Sequence, residues 1–363
     1  MRRLILALAF AVPVAAQASV VTDTFTSYWA LGDSLSDNGN LNRIAFAVGT
    51  HSAPTSGSVG QGAYYQTGRW WSGLYGRFSN GPTFAEHIAA DFSAAGRVTG
   101  NFAYGGGEAT EASGIFDFTP GLAWQQGQLA KKSGQFGDRP LVSLLMGAND
   151  IFDALGSSNP MQQATAVARS AANAVTGAAQ ALSRHGVTDF LIANLPDIGV
   201  TPAYRAFQPA LAGAATAASA AFNDQLAANV AGLRRAGLNV IEMDLFGLIR
   251  DVMADPASFG FGDVTTPCIY QSSGLASAFG QRQYCTAAQS KDRLFFDGVH
   301  PNYLAHQQMG DMALAALTAN LTRPVATPRL MAANLAPVPL PAGAPLIVAA
   351  FGLLFAFRRR RAA

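Results

Sequence analysis

Charged residues are scarce in this chain of 363 residues: 13% are Asp, Glu, Lys or Arg, whereas typical soluble domains contain about 25%. Half of the residues are hydrophobic, which excludes a persistently disordered chain because enough apolar surface is available to offset the lost conformational entropy. Only three lysines occur and the arginines are scattered, so no extended basic surface and no nucleic-acid partner are expected.

The formal net charge of +2 is misleading, because six arginines lie in the two terminal segments. Arg2 and Arg3 are near the N-terminus and Arg358 to Arg361 near the C-terminus, whereas all 22 acidic residues lie between them. Without these six arginines, the chain has 18 basic and 22 acidic residues, so the formal net charge of its middle part is −4. The working part is therefore mildly acidic.

The first 18 residues have the pattern of a secretory signal peptide. The two arginines precede an apolar run from Leu4 to Val14, and Ala16-Gln17-Ala18 forms a small-x-small cleavage site. An uncleaved N-terminal anchor is the alternative, but this run is short for a bilayer that needs about 20 residues. We therefore predict that the protein is exported.

A second apolar stretch, Ala342 to Phe357, carries no charge and is followed by the four C-terminal arginines. The sequence Val338-Pro339-Leu340-Pro341-Ala342 lies just before it. Motif, apolar span and basic tail together resemble the bacterial VPLPA/PEP-type C-terminal sorting signals. This resemblance implies membrane anchoring, then cleavage by a sorting protease and release or transfer at the cell surface. A permanent transmembrane helix is the alternative.

Four regions are predicted from this organisation. They are a signal peptide at 1–18, a catalytic or binding domain at 19–321, a Pro- and Ala-rich linker at 322–337, and the sorting segment at 338–363.

The chain has only two cysteines, Cys268 and Cys285, in a stretch rich in Gly, Ser and Gln. In an oxidising compartment they most simply form one disulfide. Two free thiols are the alternative, and a metal site is disfavoured because neither His nor further Cys lies near them.

Apolar runs bounded by turn residues predict four strands, and long helical stretches lie between them. The strands are Tyr28 to Leu31, Leu141 to Met146, Phe190 to Ala193 and Val240 to Leu245; the helices are Met161 to His185 and Ala210 to Ala236, followed by Gly186 and Gly237 as C′ caps. Strands that alternate with helices predict an α/β fold with a parallel sheet covered on both faces. In such folds, ligands bind beyond the carboxyl ends of the strands.

The turn after the first predicted strand, Gly32-Asp33-Ser34-Leu35-Ser36-Asp37, carries a candidate nucleophile. A serine at the point where a strand ends and a helix begins has an exposed hydroxyl, and backbone N–H groups supply positive partial charge beside it. Asp and Ser are also ordinary capping residues, so this turn alone leaves a structural role open.

A candidate base lies near the other end of the chain, in Phe296-Asp297-Gly298-Val299-His300-Pro301. A carboxylate three residues before a histidine can fold back onto Nδ1 and leave Nε2 free to act as a base. A helix cap beside a solvated histidine is the alternative. We expect the remaining histidines to be structural or on the surface; they are His51, His87, His185 and His306.

Two further segments could supply donors for an oxyanion. Asn101-Phe102-Ala103-Tyr104-Gly105-Gly106-Gly107 ends in a glycine run, whose bare backbone lets N–H groups approach a ligand. Gly147-Ala148-Asn149-Asp150 directly follows a predicted strand and would place an amide at the carboxyl edge of the sheet. Each could also be a plain turn.

Ser, Gly, Asn and Asp-x-x-His in this order resemble the four blocks of the SGNH or GDSL family of serine esterases and lipases. The resemblance spans Tyr28 to Leu314 and includes two secondary stretches, Gly76 to Pro82 and Asn194 to Gly199. It implies a three-layer α/β/α fold with a flavodoxin-like parallel sheet, and an exported hydrolase of carboxylic esters such as lipids or acylated glycans. A paired-cysteine loop before the Asp-His block also occurs in the exported bacterial branch.

The resemblance makes Ser34 the nucleophile, His300 its general base and then acid, and Asp297 the residue that orients His300. No metal and no organic cofactor are implied.

The same resemblance implies an oxyanion hole made of the Ser34 backbone N–H, the Asn149 side chain and one N–H of the glycine run. Counting from the start of the block favours Gly106, with Gly105 and Gly107 as alternatives.

Asp33, Asp37 and Asp150 could suggest a metal site, but short Asp-rich turns commonly cap helices and no complete ligand set accompanies them. The aromatic-rich segment from Tyr64 to Phe78 could flank an acyl pocket or simply pack a loop against the domain.

The expected partners are an ester substrate and a sorting protease. An acyltransferase that uses the same serine with an alcohol acceptor is one alternative. A non-catalytic surface-binding protein on this scaffold is another, but the intact Ser34, Asn149, Asp297 and His300 argue against it.

Overall fold

The structure, a computed structural model, describes residues 20–41, 43, 76–110, 119–271 and 282–322. The predicted signal peptide, most of the aromatic-rich segment, and nearly all of the predicted linker and sorting segment lie outside these residues and stay predictions. Within the described ranges, no helix is both long enough and apolar enough to cross a membrane.

A five-stranded sheet lies at the centre of the fold. Its strands are β1 (Ser27–Gly32), β2 (Val98–Asn101), β3 (Pro140–Leu145), β4 (Asp189–Ala193) and β5 (Asn239–Met243). All neighbouring strands are parallel, in the order β2-β1-β3-β4-β5. This is the flavodoxin-like order, in which ligands bind at the carboxyl ends of β1 and β3, where the strand order reverses.

Helices cover the sheet in two groups. The helices are α1 (Phe84–Ala94), α2 (Leu122–Ala130), α3 (Ala148–Leu155), α4 (Pro160–Ser183), α5 (Pro209–Arg235), α6 (Leu245–Ala254), α7 (Ala287–Asp292) and α8 (Tyr303–Thr322). In one group α1 packs on α8, and these helices contact β1, β2 and β5. In the other group α4 packs along α5 and against α2, while α2 contacts β1 and α5 contacts β5. The predicted three-layer α/β/α fold is therefore confirmed.

The four predicted strands are confirmed as β1, β3, β4 and β5. Every residue of β1, β3 and β4 is buried, because helices cover both faces, and such strands read as continuous apolar runs. The end of the fourth predicted strand is wrong: β5 stops at Met243, because Asp244 caps α6 and its Oδ1 accepts the N–H of Gly247 at 2.9 Å.

The two predicted long helices are confirmed as α4 and α5. Gly186 and Gly237 follow them with φ of 94° and 89°, the left-handed region that a C′ glycine adopts without strain. The edge strand β2 was not predicted. Its four residues are half-buried or exposed, so they form no apolar run.

Cys268 and Cys285 form the predicted disulfide, with Cα atoms 4.7 Å apart. The bond closes an antiparallel hairpin of β6 (Ile269–Gln271) and β7 (Arg282–Tyr284). At the base of this hairpin, the N–H of Cys268 donates to the carbonyl oxygen of Phe295 at 3.0 Å. The disulfide-bonded hairpin is thus attached to the segment that leads into Asp297.

Candidate active site

Three side chains from opposite ends of the chain meet at the carboxyl end of β1. Nε2 of His300 lies 2.7 Å from Oγ of Ser34, and Nδ1 of the same ring lies 2.8 Å from Oδ2 of Asp297. Ser34 is only 8% exposed, so little water surrounds its hydroxyl. In this arrangement a histidine can take a proton from the serine while the carboxylate holds the ring in one orientation and tautomer.

A tight loop holds Asp297 and His300 together. Oδ1 of Asp297 accepts the backbone N–H groups of Val299 at 2.9 Å and His300 at 2.8 Å. Burial raises the pKa of Asp297, but the nearby His300 and these hydrogen bonds outweigh burial, and the pKa lies below its ordinary value. Asp297 is therefore a carboxylate, which is the form that accepts a hydrogen bond from Nδ1–H.

The end of β1 is held by Gln125, a buried residue of α2. Its Oε1 accepts the N–H of Gly32 and its Nε2 donates to the carbonyl oxygen of Gly32, each at 2.9 Å. Gly32 has no room for a side chain, since a Cβ there would lie 2.6 Å from the carbonyl oxygen of Leu145. The strand end is therefore fixed two residues before Ser34. Sequence reasoning missed Gln125, because nothing in the local sequence of α2 distinguishes it from its neighbour Gln126.

The glycine run passes beside the nucleophile turn, and two of its three N–H groups are engaged. The N–H of Gly105 donates to Oδ2 of Asp37 at 2.8 Å, and that of Gly107 donates to the carbonyl oxygen of Tyr104 at 3.0 Å. Gly106, with φ of 78°, has no acceptor for its N–H among the described residues. Of the three glycines, Gly106, which counting along the block favours, is the one whose N–H has no acceptor in the part of the chain that the structure describes.

Asn149 lies in the first turn of α3, directly after β3. The turn requires Gly147, whose φ is 128° and whose Cβ would lie 2.6 Å from the ring of Phe222. Asn149 is 4% exposed, and its Nδ2 donates one hydrogen to the carbonyl oxygen of Gly107 at 2.9 Å. The second N–H of this amide has no acceptor among the described residues.

The Asp residues that could have suggested a metal site accept hydrogen bonds from the backbone instead. Oδ1 of Asp37 accepts the N–H groups of Gly39 and Asn40, and its Oδ2 accepts those of Leu41 and Gly105. Burial raises the pKa of Asp37 to about 6, although these four donors oppose the rise.

Asp150 likewise accepts two backbone N–H groups, from Ala109 and Thr110, and the Thr110 hydroxyl. Among the described residues, no three His, Cys, Asp or Glu side chains are grouped so that they could hold a metal ion.

Asp33 differs from Asp37 although it belongs to the same turn. Its Oδ1 accepts the N–H of Leu35 at 3.0 Å, but its buried Oδ2 has no partner among the described residues. Burial, with a smaller contribution from Asp150, raises the pKa of Asp33 to about 7. This carboxyl group therefore titrates close to neutrality, directly beside Ser34.

Phe78, from the secondary stretch Gly76 to Pro82, forms a wall of the site. Its ring lies 5.0 Å from the His300 ring, measured between centroids, at an interplanar angle of 39°. It also packs on Gly105, where a Cβ would lie 2.1 Å from the Phe78 ring. The sequence placed Phe78 at the end of the aromatic-rich segment that could flank an acyl pocket, but did not predict its contact with His300.

The other described histidines do not join Ser34. His306 is fully buried, its Nδ1 accepts the N–H of Phe84 at 3.3 Å, and burial lowers its pKa to about 3. Burial also lowers the pKa of His87. His185 is exposed at the end of α4, and His51 lies outside the described residues.

Comparisons with known proteins match most of the chain. The family described as GDSL-like Lipase/Acylhydrolase matches residues 28–312. A phosphatidylcholine-sterol acyltransferase from Aeromonas hydrophila is 28% identical over 285 residues, which cover 77% of this chain and 75% of that protein. The GDSL esterase/lipase At5g55050 from Arabidopsis thaliana is 25% identical over 290 residues, 66% of this chain and 72% of that protein.

Among solved structures, a phospholipase A1 from Streptomyces albidoflavus NA297 is 15% identical, with a TM-score of 0.35; the match covers 80% of this chain and 98% of that one. The family match is the more informative result, since it includes Ser34, the glycine run, Asn149 and the Asp297 to His300 loop. The chain therefore belongs to the GDSL-like lipase/acylhydrolase family and is an enzyme that acts on carboxylic ester bonds.

Proposed function

We propose that this protein is an exported serine hydrolase that cleaves carboxylic esters through an acyl-enzyme on Ser34. The observation that carries the proposal is the 2.7 Å contact between Oγ of Ser34 and Nε2 of His300, with Asp297 bonded to the far side of the ring. A serine hydroxyl is a weak nucleophile on its own, and an adjacent oriented base activates it.

The proposed oxyanion hole has three donors: the backbone N–H groups of Ser34 and Gly106 and the side-chain amide of Asn149. Its support is that each has an N–H without an acceptor among the described residues. Asp37 and Tyr104 engage the neighbouring glycine N–H groups, and these bonds hold the backbone on both sides of Gly106. Donors that are oriented in advance stabilise a transition state most effectively.

In the proposed reaction, His300 takes the proton of Ser34 as Oγ attacks the ester carbonyl carbon. The tetrahedral oxyanion is bound by the three donors. When it collapses, the bond to the alcohol oxygen breaks and His300 gives its proton to the departing alcohol. Water, deprotonated by His300, then attacks the acyl-enzyme, and the carboxylic acid leaves as Ser34 regains its proton.

A fluorophosphonate probe and p-nitrophenyl esters test this proposal. Wild type should be labelled and should hydrolyse the esters, whereas Ser34→Ala should do neither. Ser36→Ala is a matched control, because the Ser36 hydroxyl is buried two residues away and has no partner among the described residues. Absence of labelling in folded wild type, or labelling that survives in Ser34→Ala, would refute the proposed nucleophile.

Acyl transfer to an alcohol is a second candidate, because one similar protein is named an acyltransferase. Water and an alcohol compete for the same acyl-enzyme, so the two activities differ only in which acceptor reaches it. Wild type should be given p-nitrophenyl butyrate with increasing 1-butanol. Formation of butyl butyrate at the expense of butyric acid would favour the transferase, and butyric acid alone would favour the hydrolase.

Export is proposed on the predicted signal peptide and the Cys268–Cys285 disulfide, since such bonds persist in oxidising compartments. The mature N-terminus should be Ser19, and a protein that keeps Met1 would contradict the cleavage. The mass of the exported protein also distinguishes the two proposed fates of the C-terminal segment. If the sorting protease acts, the exported protein lacks the span from Ala342 to Phe357. If the segment is a permanent anchor, the exported protein keeps this span.

A further inference from the structure

An apolar cavity lies beside the catalytic loop, at the carboxyl edge of the sheet. It encloses about 60 Å³ and is bounded by α6, the start of α8, the segment after β4 and the loop that carries His300. A water-sized group needs about 10–15 Å³ of such volume, so the cavity has room for about four to six carbon atoms in a row.

The cavity is bounded by chain neighbours of the candidate catalytic residues, although Ser34 and His300 themselves do not line it. Leu35, which lines it, directly follows Ser34, and Val299 and Pro301, which also line it, flank His300. The backbone segments that position the nucleophile and the base therefore also form part of the cavity wall.

The remaining wall is almost entirely apolar. Helix α6 contributes Leu248, Ile249 and Val252, and the first two are only half-buried, so the cavity is not sealed by packing. Three wall residues are polar, and each has hydrogen bonds outside the cavity. Oδ1 of Asp197 accepts from Gly199 and Thr216, the hydroxyl of Thr201 donates to the carbonyl oxygen of Ile198, and Nε2 of Gln308 donates to the carbonyl oxygen of Phe259. An apolar occupant would leave these hydrogen bonds intact; Oε1 of Gln308 is buried without a partner among the described residues whether or not the cavity is filled.

We propose that this cavity binds the acyl chain of the ester, and that it selects chains of about four to six carbons. This inference rests on the proposed acyl-enzyme at Ser34. The acyl chain is the part of the substrate that stays attached to Ser34 through both halves of the reaction, whereas the alcohol departs after the first. A cavity that adjoins Ser34 through Leu35 can therefore stabilise the acyl chain in both transition states.

Each methylene that enters the cavity should raise kcat/KM about fourfold, the equivalent of about 0.8 kcal/mol per buried methylene. For wild type, kcat/KM should rise from p-nitrophenyl acetate to the hexanoate and then level off, because longer chains extend beyond the available volume.

Substitutions at Ile249 test the assignment. Ile249→Phe fills the cavity and should lower kcat/KM for the hexanoate more than tenfold while changing the acetate less than twofold. Ile249→Ala enlarges the cavity and should move the optimum to longer chains. Met253→Phe is the matched control, because Met253 is a half-buried residue of the same helix that does not line the cavity. It should leave the chain-length profile unchanged.

A second substrate series, of alkyl acetates from methyl to hexyl, separates the acyl chain from the alcohol. If Ile249→Phe alters only this series, the cavity holds the alcohol and the inference is overturned. It is also overturned if Ile249→Phe lowers activity on acetate and hexanoate equally, or if chain length has no effect while Ser34-dependent acetate hydrolysis persists. Loss of all ester hydrolysis and labelling in wild type would instead overturn the proposed function itself.

Discussion

Replacement of Asp33 by asparagine should stabilise this protein at neutral and alkaline pH, although Asp33 lies beside the proposed nucleophile. Asp33 is 1% exposed, and among the described residues only its Oδ1 accepts a hydrogen bond, from the N–H of Leu35. An asparagine keeps that acceptor and removes the charge. Because the protonated carboxyl group and the amide are both neutral and similar in shape, the benefit appears only where Asp33 would be ionised.

The magnitude follows from the pKa of Asp33. Burial raises it from the ordinary 3.8 to about 7, which corresponds to about 4 kcal/mol of differential stability. Because the folded pKa is the higher one, this stability is fully present below the unfolded pKa and is lost as the pH rises through about 7. About 3 kcal/mol of the loss falls between pH 5 and pH 8. Asp33→Asn should not lose this stability, because it has no carboxyl group at position 33.

Asp37→Asn is the matched control in the same turn. Burial raises the pKa of Asp37 as well, but its two oxygens accept four backbone N–H groups. An amide nitrogen cannot accept, so two buried donors would lose their partner at about 1–3 kcal/mol each. Asp37→Asn should therefore be less stable than wild type at pH 8, where the wild-type carboxyl group is ionised and accepts all four hydrogen bonds. It should also lower kcat, because the glycine run loses the bond from Gly105 that fixes its position.

Urea unfolding of the three proteins at pH 5 and pH 8 provides the assay. The difference in the free energy of unfolding between Asp33→Asn and wild type reports on the Asp33 carboxyl group alone, because all other titrating groups are the same in both proteins. This difference should grow by about 3 kcal/mol between the two pH values. A difference that is the same at both, or a variant that is less stable than wild type at pH 8, would refute the reasoning that burial dominates at Asp33.

Three further predictions concern the site and its support. Asn149→Ala should lower kcat by about 10²- to 10³-fold with a small change in KM, and an unchanged kcat would remove Asn149 from the oxyanion hole. Asp297→Asn should also lower kcat, because the lowered pKa of Asp297 keeps a carboxylate beside Nδ1 of His300 and an amide removes that charge; an unchanged kcat would argue against the role of Asp297 in orienting the ring. The double variant Cys268→Ser and Cys285→Ser should lose about 3 kcal/mol of stability in chemical denaturation, since the bond closes a loop of 17 positions, and equal midpoints would show that the loop is not restrained by it.

The sequence predicts the strands that are buried along their whole length and the helix ends that depend on neighbouring residues only. β1, β3 and β4 are buried on both faces, so their apolar runs stand out, and the helix caps at Gly186 and Gly237 follow local rules. β2 lies at the sheet edge with mixed exposure and has no such signature. The Asp297 to His300 contact is also local, because both residues belong to one short loop.

The unpredicted parts of the site depend on contacts between distant segments. Counting along the block favours Gly106, but the contacts that distinguish it come from elsewhere: among the described residues, Asp37 and Tyr104 engage the N–H groups of Gly105 and Gly107 and leave that of Gly106 without an acceptor. Gln125 acts on Gly32 from 93 positions away, and Phe78 reaches His300 across most of the chain. Hydrophobic periodicity does not predict such contacts between residues that are distant in the sequence.

The 266 positions that separate Ser34 from His300 have a consequence for biosynthesis. A ribosome that synthesises the chain from its N-terminus presents Ser34 early and His300 among the last tenth of the described residues. No shorter intermediate can contain the Ser34–His300 contact, whatever else it has folded. The proposed nucleophile and base can therefore meet only after almost the whole domain has been synthesised.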